Sequence, residues 1–141
     1  MKPAVSAVAA NMAANLRDDI APQLSGFRAG NAGMMAAMMD MIAEEWDRAA
    51  ARLVGENADL RRVLARGAAF LGGPAGQLDV ADQDLRISAL ERENELLRAQ
   101  LIELQAAVEQ DQSADAQAID EMIWDVLRRS VESRRITAAN F

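Results

Sequence analysis

Cysteine, histidine and tyrosine are all absent from this chain of 141 residues. Without cysteine, the chain has no disulfides, no thiolate metal sites and no cysteine nucleophile. Without histidine, it lacks the commonest general base and the commonest metal ligand. No recognisable catalytic motif joins the carboxylates, hydroxyls and basic side chains that remain. We therefore expect a protein that is not an enzyme and that uses no cofactor or metal.

Long apolar runs and large side chains are also scarce. No stretch of about eighteen uninterrupted apolar residues occurs, so we expect no membrane-spanning helix and a cytoplasmic location. Hydrophobic residues make up 51% of the chain but aromatic residues only 4%, and much of the remainder is alanine. Alanine favours helix while burying little surface, so we expect the core to be completed by self-association, with a dimer favoured.

The net charge of −7 comes entirely from residues 77–141. An acidic surface of this kind repels nucleic acid and anionic membranes, so neither is an expected partner of that region. All but one of the 15 basic residues are arginine, the exception being Lys2. This usage is typical of GC-rich bacterial genomes, and we expect a bacterial source.

Two stretches carry the heptad repeat of a helix whose apolar seam is covered by another helix. The sharper one runs through residues 87–108 without a helix breaker and has one polar member, an asparagine. The other lies between residues 34 and 71 and contains a second asparagine. We interpret both seams as core or self-association surface, formed by Leu53, Asn57, Leu60, Leu64, Ile87, Leu90, Asn94, Leu97, Leu101 and Leu104.

The two seams match each other at a spacing of thirty-seven residues, which two independent seams can also produce. Between them, Gly72-Gly73-Pro74-Ala75-Gly76 is the clearest turn signal in the chain. If the chain folds back at this turn, Asn57 comes level with Asn94. Buried asparagines are tolerated as a hydrogen-bonded pair, so this coincidence favours a long antiparallel αα-hairpin.

A parallel leucine zipper between two chains is the alternative, because residues 87–108 resemble that pattern over three heptads. Asn94 would then occupy an a position, and Glu93 at g would face Arg98 at e of the partner chain. The two arrangements can coexist if hairpins dimerise, so the sequence leaves open which coiled-coil contact is the closest.

The predicted fold is a single all-α domain over residues 1–141, in which a coiled-coil-like antiparallel hairpin carries short N-terminal helices and a C-terminal helix that packs back as a bundle. Asp79 or Asp82 is expected to cap the second long helix, and Ser113 or Asp115 the last one. The predicted segments are short helices and a loop over 1–33, a long helix over 34–71, a Gly/Pro turn over 72–78, a long heptad helix over 79–110 and a C-terminal helix over 116–135.

Methionine is concentrated in one short stretch between residues 34 and 41. Thioether sulfurs can bind Cu(I), but cytoplasmic copper sites normally recruit cysteine or histidine as well. Flexible methionines also suit a pliable core, or an apolar surface that adapts to a partner or a ligand. The candidate ligand or partner surface comprises Met34, Met35, Met38, Met39, Met41, Trp46 and Trp124.

A basic cluster near the C-terminus offers a candidate anion contact through Arg128, Arg129, Arg134 and Arg135. Cations near a helix C-terminus are also favoured by the helix dipole and can pair with acidic neighbours. No recognised DNA-binding motif accompanies the cluster.

These features together predict a non-enzymatic, self-associating helical interaction or accessory protein. The alternatives are a small carrier with an apolar ligand in a Met/Trp-lined cavity, and a nucleic-acid-associated regulator that acts through the arginine cluster.

Overall fold

A computed structural model describes residues 4–72 and 82–139. Its four α-helices are α1 (Val5–Ala14), α2 (Phe27–Gly67), α3 (Ile87–Val108) and α4 (Ala114–Ser133). A π-helix follows α1 at Asn15–Ile20, and single 3-10 segments occupy Ala21–Gln23, Ala68–Leu71 and Thr137–Ala139. No strand occurs in the described ranges, and the predicted all-α bundle is confirmed. None of these helices combines the length and the apolar composition that crossing a membrane requires.

Helix α2 begins earlier than its sequence predicts. Gly26 takes a positive φ of 56° and sets the turn before Phe27, whereas a loop was expected over 26–33 and a helix only from residue 34. Gly30 and Gly33 lie inside the helix, where each costs about 1 kcal/mol relative to alanine. A helix of 41 residues tolerates that cost, because its remaining hydrogen bonds form cooperatively.

The predicted Gly/Pro turn is described only at its first residue. Gly72 has a φ of 68° and ends the 3-10 segment Ala68–Leu71 in the left-handed region. The rest of that turn, residues 73–78, lies outside the described residues, as does Asp79.

Of the two predicted N-caps, that of α3 is wrong and that of α4 is observed. Helix α3 starts at Ile87, so its N-cap is Arg86 and not an aspartate, and no side-chain hydrogen bond is made there. Asp82 lies four residues before this N-cap and pairs with Arg61 at 2.6 Å. Helix α4 is capped by Ser113, whose Oγ accepts a hydrogen bond from the Ala116 backbone N–H at 3.2 Å.

The chain divides into two compact units, one formed by Ala50–Arg134 and the other by Met1–Ala49 with Arg135–Phe141. We call them the bundle unit and the N-terminal unit. Within the bundle unit the two long helices run parallel, not antiparallel. Asn94 Nδ2 donates to Asn57 Oδ1 at 2.9 Å, thirty-seven residues away. Leu104 contacts Gly67 at the same separation; an antiparallel hairpin would place these two residues about 30 Å apart along the axis.

Parallel packing produces two charge pairs of the kind that a zipper forms, but inside one chain and with other partners than the expected Glu93–Arg98 pair. Glu56 of α2 meets Arg98 of α3 at 3.3 Å, and Glu93 of α3 meets Arg61 of α2 at 3.0 Å. These are the g-to-e pairs that fix orientation in parallel coiled coils. The partner of the α3 seam is therefore α2 of the same molecule.

Helix α4 runs antiparallel to both long helices and completes a three-helix bundle. Near its start, Asp115 lies 3.6 Å from Arg66, and near its end Arg129 lies 3.1 Å from Asp59. The predicted packing-back of a C-terminal helix is thus observed. The buried core joins Leu60, Val63, Leu64, Leu97, Leu101, Leu104, Val108, Ala116, Ile119, Ile123 and Val126.

The N-terminal unit has a different interior. Every buried apolar residue that the structure describes in this unit is an alanine: Ala9, Ala13, Ala32, Ala36 and Ala49. Alanine buries far less apolar area than leucine, at about 25 cal/mol per Å² removed from water. An ion pair between Arg17 and Asp40 links the π-helix Asn15–Ile20 to α2. This unit therefore has much less hydrophobic stabilisation of its own than the bundle unit.

Candidate functional site

The largest apolar side chains of the N-terminal unit lie on its surface, along one side of α2. Phe27 is 83% exposed, and three of the methionines are 52% to 55% exposed. At 100° per residue these positions fall within an arc of about 120° on the helix. We call this surface the methionine face; it consists of Phe27, Met34, Met35, Met38, Ile42 and Trp46.

The sequence grouped seven residues as one possible ligand or partner surface, and the structure separates them. Met34, Met35, Met38 and Trp46 are exposed on the methionine face, while Met39 and Met41 are partly buried. Trp124 belongs to the bundle unit, where it lies on the outer side of α4. There it lines an open groove of about 350 Å³ with Leu127, Arg128, Val131 and Glu132.

The predicted seam residues point into the bundle unit. Nine of the ten are buried, and Ile87 at the start of α3 is partly buried. Their apolar surface is already covered by α2, α3 and α4 of one chain, so they do not offer a free surface for a second copy.

A buried carboxylate lies beside this seam. Glu56 of α2 is 6% exposed and is gripped by Arg134, whose Nε lies 3.0 Å from Oε1 and whose Nη2 lies 2.6 Å from Oε2. The hydroxyls of Ser130 and Ser133 donate to Oε1 at 3.2 and 3.0 Å. Arg98 reaches Oε2 at 3.3 Å. Three helices therefore converge on one side chain.

The pKa of Glu56 follows from these contacts. Burial alone would raise the pKa of its carboxyl, but the hydrogen bond and charge of Arg134, together with Ser133 and Arg98, lower it to about 2. A carboxylate that is ionised and fully paired at neutral pH is a poor general base. The geometry therefore makes Glu56 a fixed electrostatic tie between α2, α3 and the end of α4.

A second polar cluster holds the chain just before α3. Arg61 Nη2 donates to Asp82 Oδ1 at 2.6 Å and to Glu93 Oε1 at 3.0 Å. Asn57 Nδ2 lies 3.4 Å from both Asp82 oxygens and donates to the Leu90 carbonyl at 3.2 Å. The hydrogen bond that Arg61 donates to Asp82 raises the pKa of Arg61 and outweighs burial, which would lower it. Asp82 is thereby held against Asn57 and Arg61 in the C-terminal third of α2, a few residues before α3 begins.

Three of the four arginines in the predicted anion contact are paired with carboxylates. Arg128 pairs with Asp125, Arg129 with Asp59 and Arg134 with Glu56. The fourth, Arg135, belongs to the N-terminal unit and accepts a hydrogen bond from Arg48 at its carbonyl oxygen. These pairings favour the structural interpretation of the cluster over phosphate binding.

Glu44 anchors the last described turn of the chain to α2 inside the N-terminal unit. Its carboxylate accepts the backbone N–H of Thr137 at 2.9 and 3.0 Å and that of Ala138 at 3.1 Å. These backbone hydrogen bonds lower the pKa of the Glu44 carboxyl. The N-terminus of a 3-10 segment is thus capped by a side chain more than ninety residues earlier.

Two open grooves also lie in the bundle unit. One, of about 560 Å³, runs between α2 and α4 beside Gly55, Glu56 and Ser133. The other, of about 450 Å³, is lined by polar side chains that include Arg52, Glu91 and Glu95. In the described parts of the chain, no group of three or more acidic side chains is arranged to hold a metal ion.

Sequence reasoning missed Glu56, Ser130 and Ser133 as a connected cluster. Its signal was the heptad position of Glu56, which precedes a seam asparagine and matches Glu93 thirty-seven residues later. Applied within one chain, the zipper rule for g and e positions pairs Glu56 with Arg98. Nothing in the spacing of α4 indicated that its two serines would reach the same carboxylate.

The chain was compared with protein-family models, with curated proteins and with solved structures, and none of the three comparisons gave a match.

Proposed function

We propose that this chain is a non-enzymatic, self-associating interaction protein of the bacterial cytoplasm, and that the methionine face is the surface through which two copies meet. The observation that carries the proposal is the exposure of Phe27, Met34, Met35, Met38, Ile42 and Trp46 on one side of α2.

The composition of the two interiors supports this proposal. The only fully buried apolar residues described in the N-terminal unit are alanines, while most of its large apolar side chains on α2 are exposed. A contiguous apolar stripe of this kind is typical of an interaction site. Covering it with a second copy supplies the apolar burial that the unit lacks on its own.

The same exposure disfavours the carrier alternative. A cavity that binds an apolar ligand encloses most of the ligand surface. Met34, Met35 and Met38 are each more than half exposed, so they suit a flat partner better than an enclosed ligand. The paired arginines of α4 give the nucleic-acid alternative little free positive charge.

Native mass spectrometry and light scattering of the purified chain test the proposal. We expect a dimer for the wild type and a monomer for the double variant Met38→Glu/Ile42→Glu, because each substitution places a charge in the proposed interface. A wild-type chain that stays monomeric at micromolar concentrations would overturn the proposal.

Two further variants locate the interface. Ile102→Glu changes an apolar residue of α3 that is 69% exposed and belongs to the bundle unit, whereas the methionine face belongs to the N-terminal unit, so the dimer should persist. Leu97→Asp places a charge in the buried seam and should unfold the bundle unit rather than only dissociate the dimer. Loss of the dimer with Ile102→Glu, but not with Met38→Glu/Ile42→Glu, would move the interface to the bundle unit.

A further inference from the structure

We infer that the methionine face pairs with a second copy of itself in antiparallel orientation, about a two-fold axis that passes between Met35 and Met38. This inference rests on the proposed self-association and adds the direction and the register of the contact.

The order of side chains along α2 carries the argument. Reading outward from the point midway between Met35 and Met38, the face ends in an aromatic residue on each side, Phe27 and Trp46. Both are exposed, at 83% and 54%. The aromatic ends and the central methionines therefore match when the stripe is reversed about this midpoint, over about 28 Å of helix at 1.5 Å per residue, whereas Ile42 falls opposite Asn31.

A two-fold axis at this midpoint places the N-terminal end of the stripe in one copy against the C-terminal end of the stripe in the other copy. Phe27 of one copy lies opposite Trp46 of the other, and Met35 lies opposite Met38. An isologous interface requires this self-complementarity, because the same patch serves on both subunits. Offset aromatic pairs at both ends and interleaved methionines in the middle give the contact good packing partners.

Charge at the ends of the stripe favours the same direction. The same operation places Arg28 of one copy opposite Glu45 of the other, twice in each dimer. Arg28 is exposed and makes no hydrogen bond or ion pair with any residue in the described ranges. Glu45 lies 3.7 Å from Arg48 in its own chain and is partly exposed. A parallel pairing would instead bring Arg28 against Arg28, which is unfavourable.

Pairing of two helices side by side also requires flexible, uncharged side chains near the two-fold axis. Met34, Met35 and Met38 are unbranched, with several rotatable bonds, so they can interleave across an axis where identical residues approach each other. β-Branched or charged residues at the same positions would constrain or repel the opposing copy.

Disulfide trapping tests the direction, because the natural chain has no cysteine. Two single variants, Phe27→Cys and Trp46→Cys, are purified, mixed in equal amounts and oxidised mildly. The antiparallel register predicts a disulfide between the two different variants in the mixture and none in either variant alone. A disulfide formed by Phe27→Cys alone would establish a parallel contact and overturn the inference.

A charge cycle provides a second test that leaves every apolar side chain in place. Arg28→Glu is expected to weaken the dimer about tenfold in Kd, since it creates two repulsive pairs per dimer. Glu45→Arg alone also creates two repulsive pairs. The double variant Arg28→Glu/Glu45→Arg restores opposite charges at both contacts, so it should dimerise more tightly than Glu45→Arg alone, by nearly the factor that Arg28→Glu loses. If the change in dimerisation free energy of the double variant equals the sum of the changes in the two single variants, the inferred register is overturned.

The two failures are distinguishable. If the wild type is a monomer, both the proposed function and this inference are wrong. A wild-type dimer that dissociates with Met38→Glu/Ile42→Glu, yet traps Phe27→Cys with itself, retains the proposed function and removes only the antiparallel register.

Discussion

Asn57 and Asn94 hydrogen-bond to each other across two helices that run in the same direction, with Nδ2 of Asn94 2.9 Å from Oδ1 of Asn57. Both are buried, and neither amide is satisfied by this contact alone. Asn57 also donates to the Leu90 carbonyl, and Asn94 Oδ1 accepts from Arg98 Nε at 2.8 Å. The pair fixes the relative height of α2 and α3, as a single buried asparagine layer does in parallel coiled coils.

The losses in the free energy of unfolding caused by replacing each asparagine singly should add up to more than the loss caused by replacing both. Asn94→Leu leaves Asn57 Oδ1 without its donor, and we expect a loss of about 2 kcal/mol in the free energy of unfolding. Asn57→Leu/Asn94→Leu removes both polar groups and fills the layer with apolar surface, so its cost should be well below the sum of the singles. Urea unfolding of the four proteins measures the coupling. Strict additivity would contradict the role of the pair.

Gly67 is a seam position where the side chain of Leu104 in α3 packs directly against the α2 backbone. A Cβ at this residue would lie 2.5 Å from both Cδ atoms of Leu104. We therefore expect Gly67→Ala to destabilise the bundle unit by about 1–3 kcal/mol, despite the better helix propensity of alanine. Gly55 is the matched control, because a Cβ there meets nothing within 4 Å.

Gly55→Ala should stabilise the protein by about 0.5–1 kcal/mol. Thermal unfolding of both variants tests the packing, and the double variant Gly67→Ala/Leu104→Ala should cost less than the two singles combined. If Gly67→Ala were as stabilising as Gly55→Ala, the close approach of α2 and α3 would be refuted.

Glu56 predicts how stability depends on pH. Its folded pKa of about 2 lies below the ordinary value of 4.5, so its carboxylate stabilises the fold fully above pH 4.5. That contribution is lost as the pH falls from about 4.5 to about 2. At about 1.4 kcal/mol per pKa unit it amounts to roughly 3 kcal/mol.

Glu56→Gln should therefore destabilise the protein strongly at pH 7 and progressively less toward pH 2. The pKa of Asp84 is also lowered to about 2, through its hydrogen bonds from Arg86, but this substitution leaves Asp84 unchanged. Glu103→Gln, at an exposed position of α3, is the control and should alter stability little. Parallel pH profiles for the wild type and Glu56→Gln would rule out the assignment.

Asp82 should be essential to the direction of α3. Its side chain is 5% exposed and pairs with Arg61, which is 11% exposed, so Asp82→Ala leaves a buried cation without its main partner. We expect a loss of roughly 3 kcal/mol and faster amide exchange at the start of α3. Asp84→Ala removes an exposed pair with Arg86 and should change little. Equal exchange rates in the two variants would contradict this role.

The seams were predictable residue by residue because heptad periodicity records burial directly. Leu60, Leu64, Leu90, Leu97 and Leu104 are all buried as expected. The direction of α3 was not predictable from the asparagines, because Asn57 and Asn94 come level in either orientation.

Two signals in the sequence did favour the parallel arrangement. One is the repeat of thirty-seven residues, which is the spacing of the contacts in the folded bundle. The other is the set of charges at Glu56, Arg61, Glu93 and Arg98, which pair correctly only when α2 and α3 point the same way. Parallel packing requires the chain to return along α2 between the two helices. Residues 72–86 are numerous enough to span that distance, since an extended chain advances about 3.3 Å per residue while a helix rises only about 1.5 Å.

The methionine face was predicted as a set of residues, but its exposure was not. An apolar line at helical spacing is the same in a core helix and in a helix that awaits a partner, and only the neighbouring helix decides which applies. In α2 the alanines Ala32 and Ala36 are buried, whereas Met34, Met35 and Met38 are exposed.

Parallel packing of α2 and α3 also determines the order in which the bundle assembles. Helices α3 and α4 form a hairpin joined by the short connection over residues 109–113, whereas the α2–α3 contact joins residues thirty-seven apart in the chain. Bringing residues close in sequence together costs less chain entropy, so we expect the α3–α4 hairpin to form before α2 docks onto it. During synthesis from the N-terminus, the apolar seam of α2 therefore leaves the ribosome well before its partners exist and stays uncovered until α4 is complete.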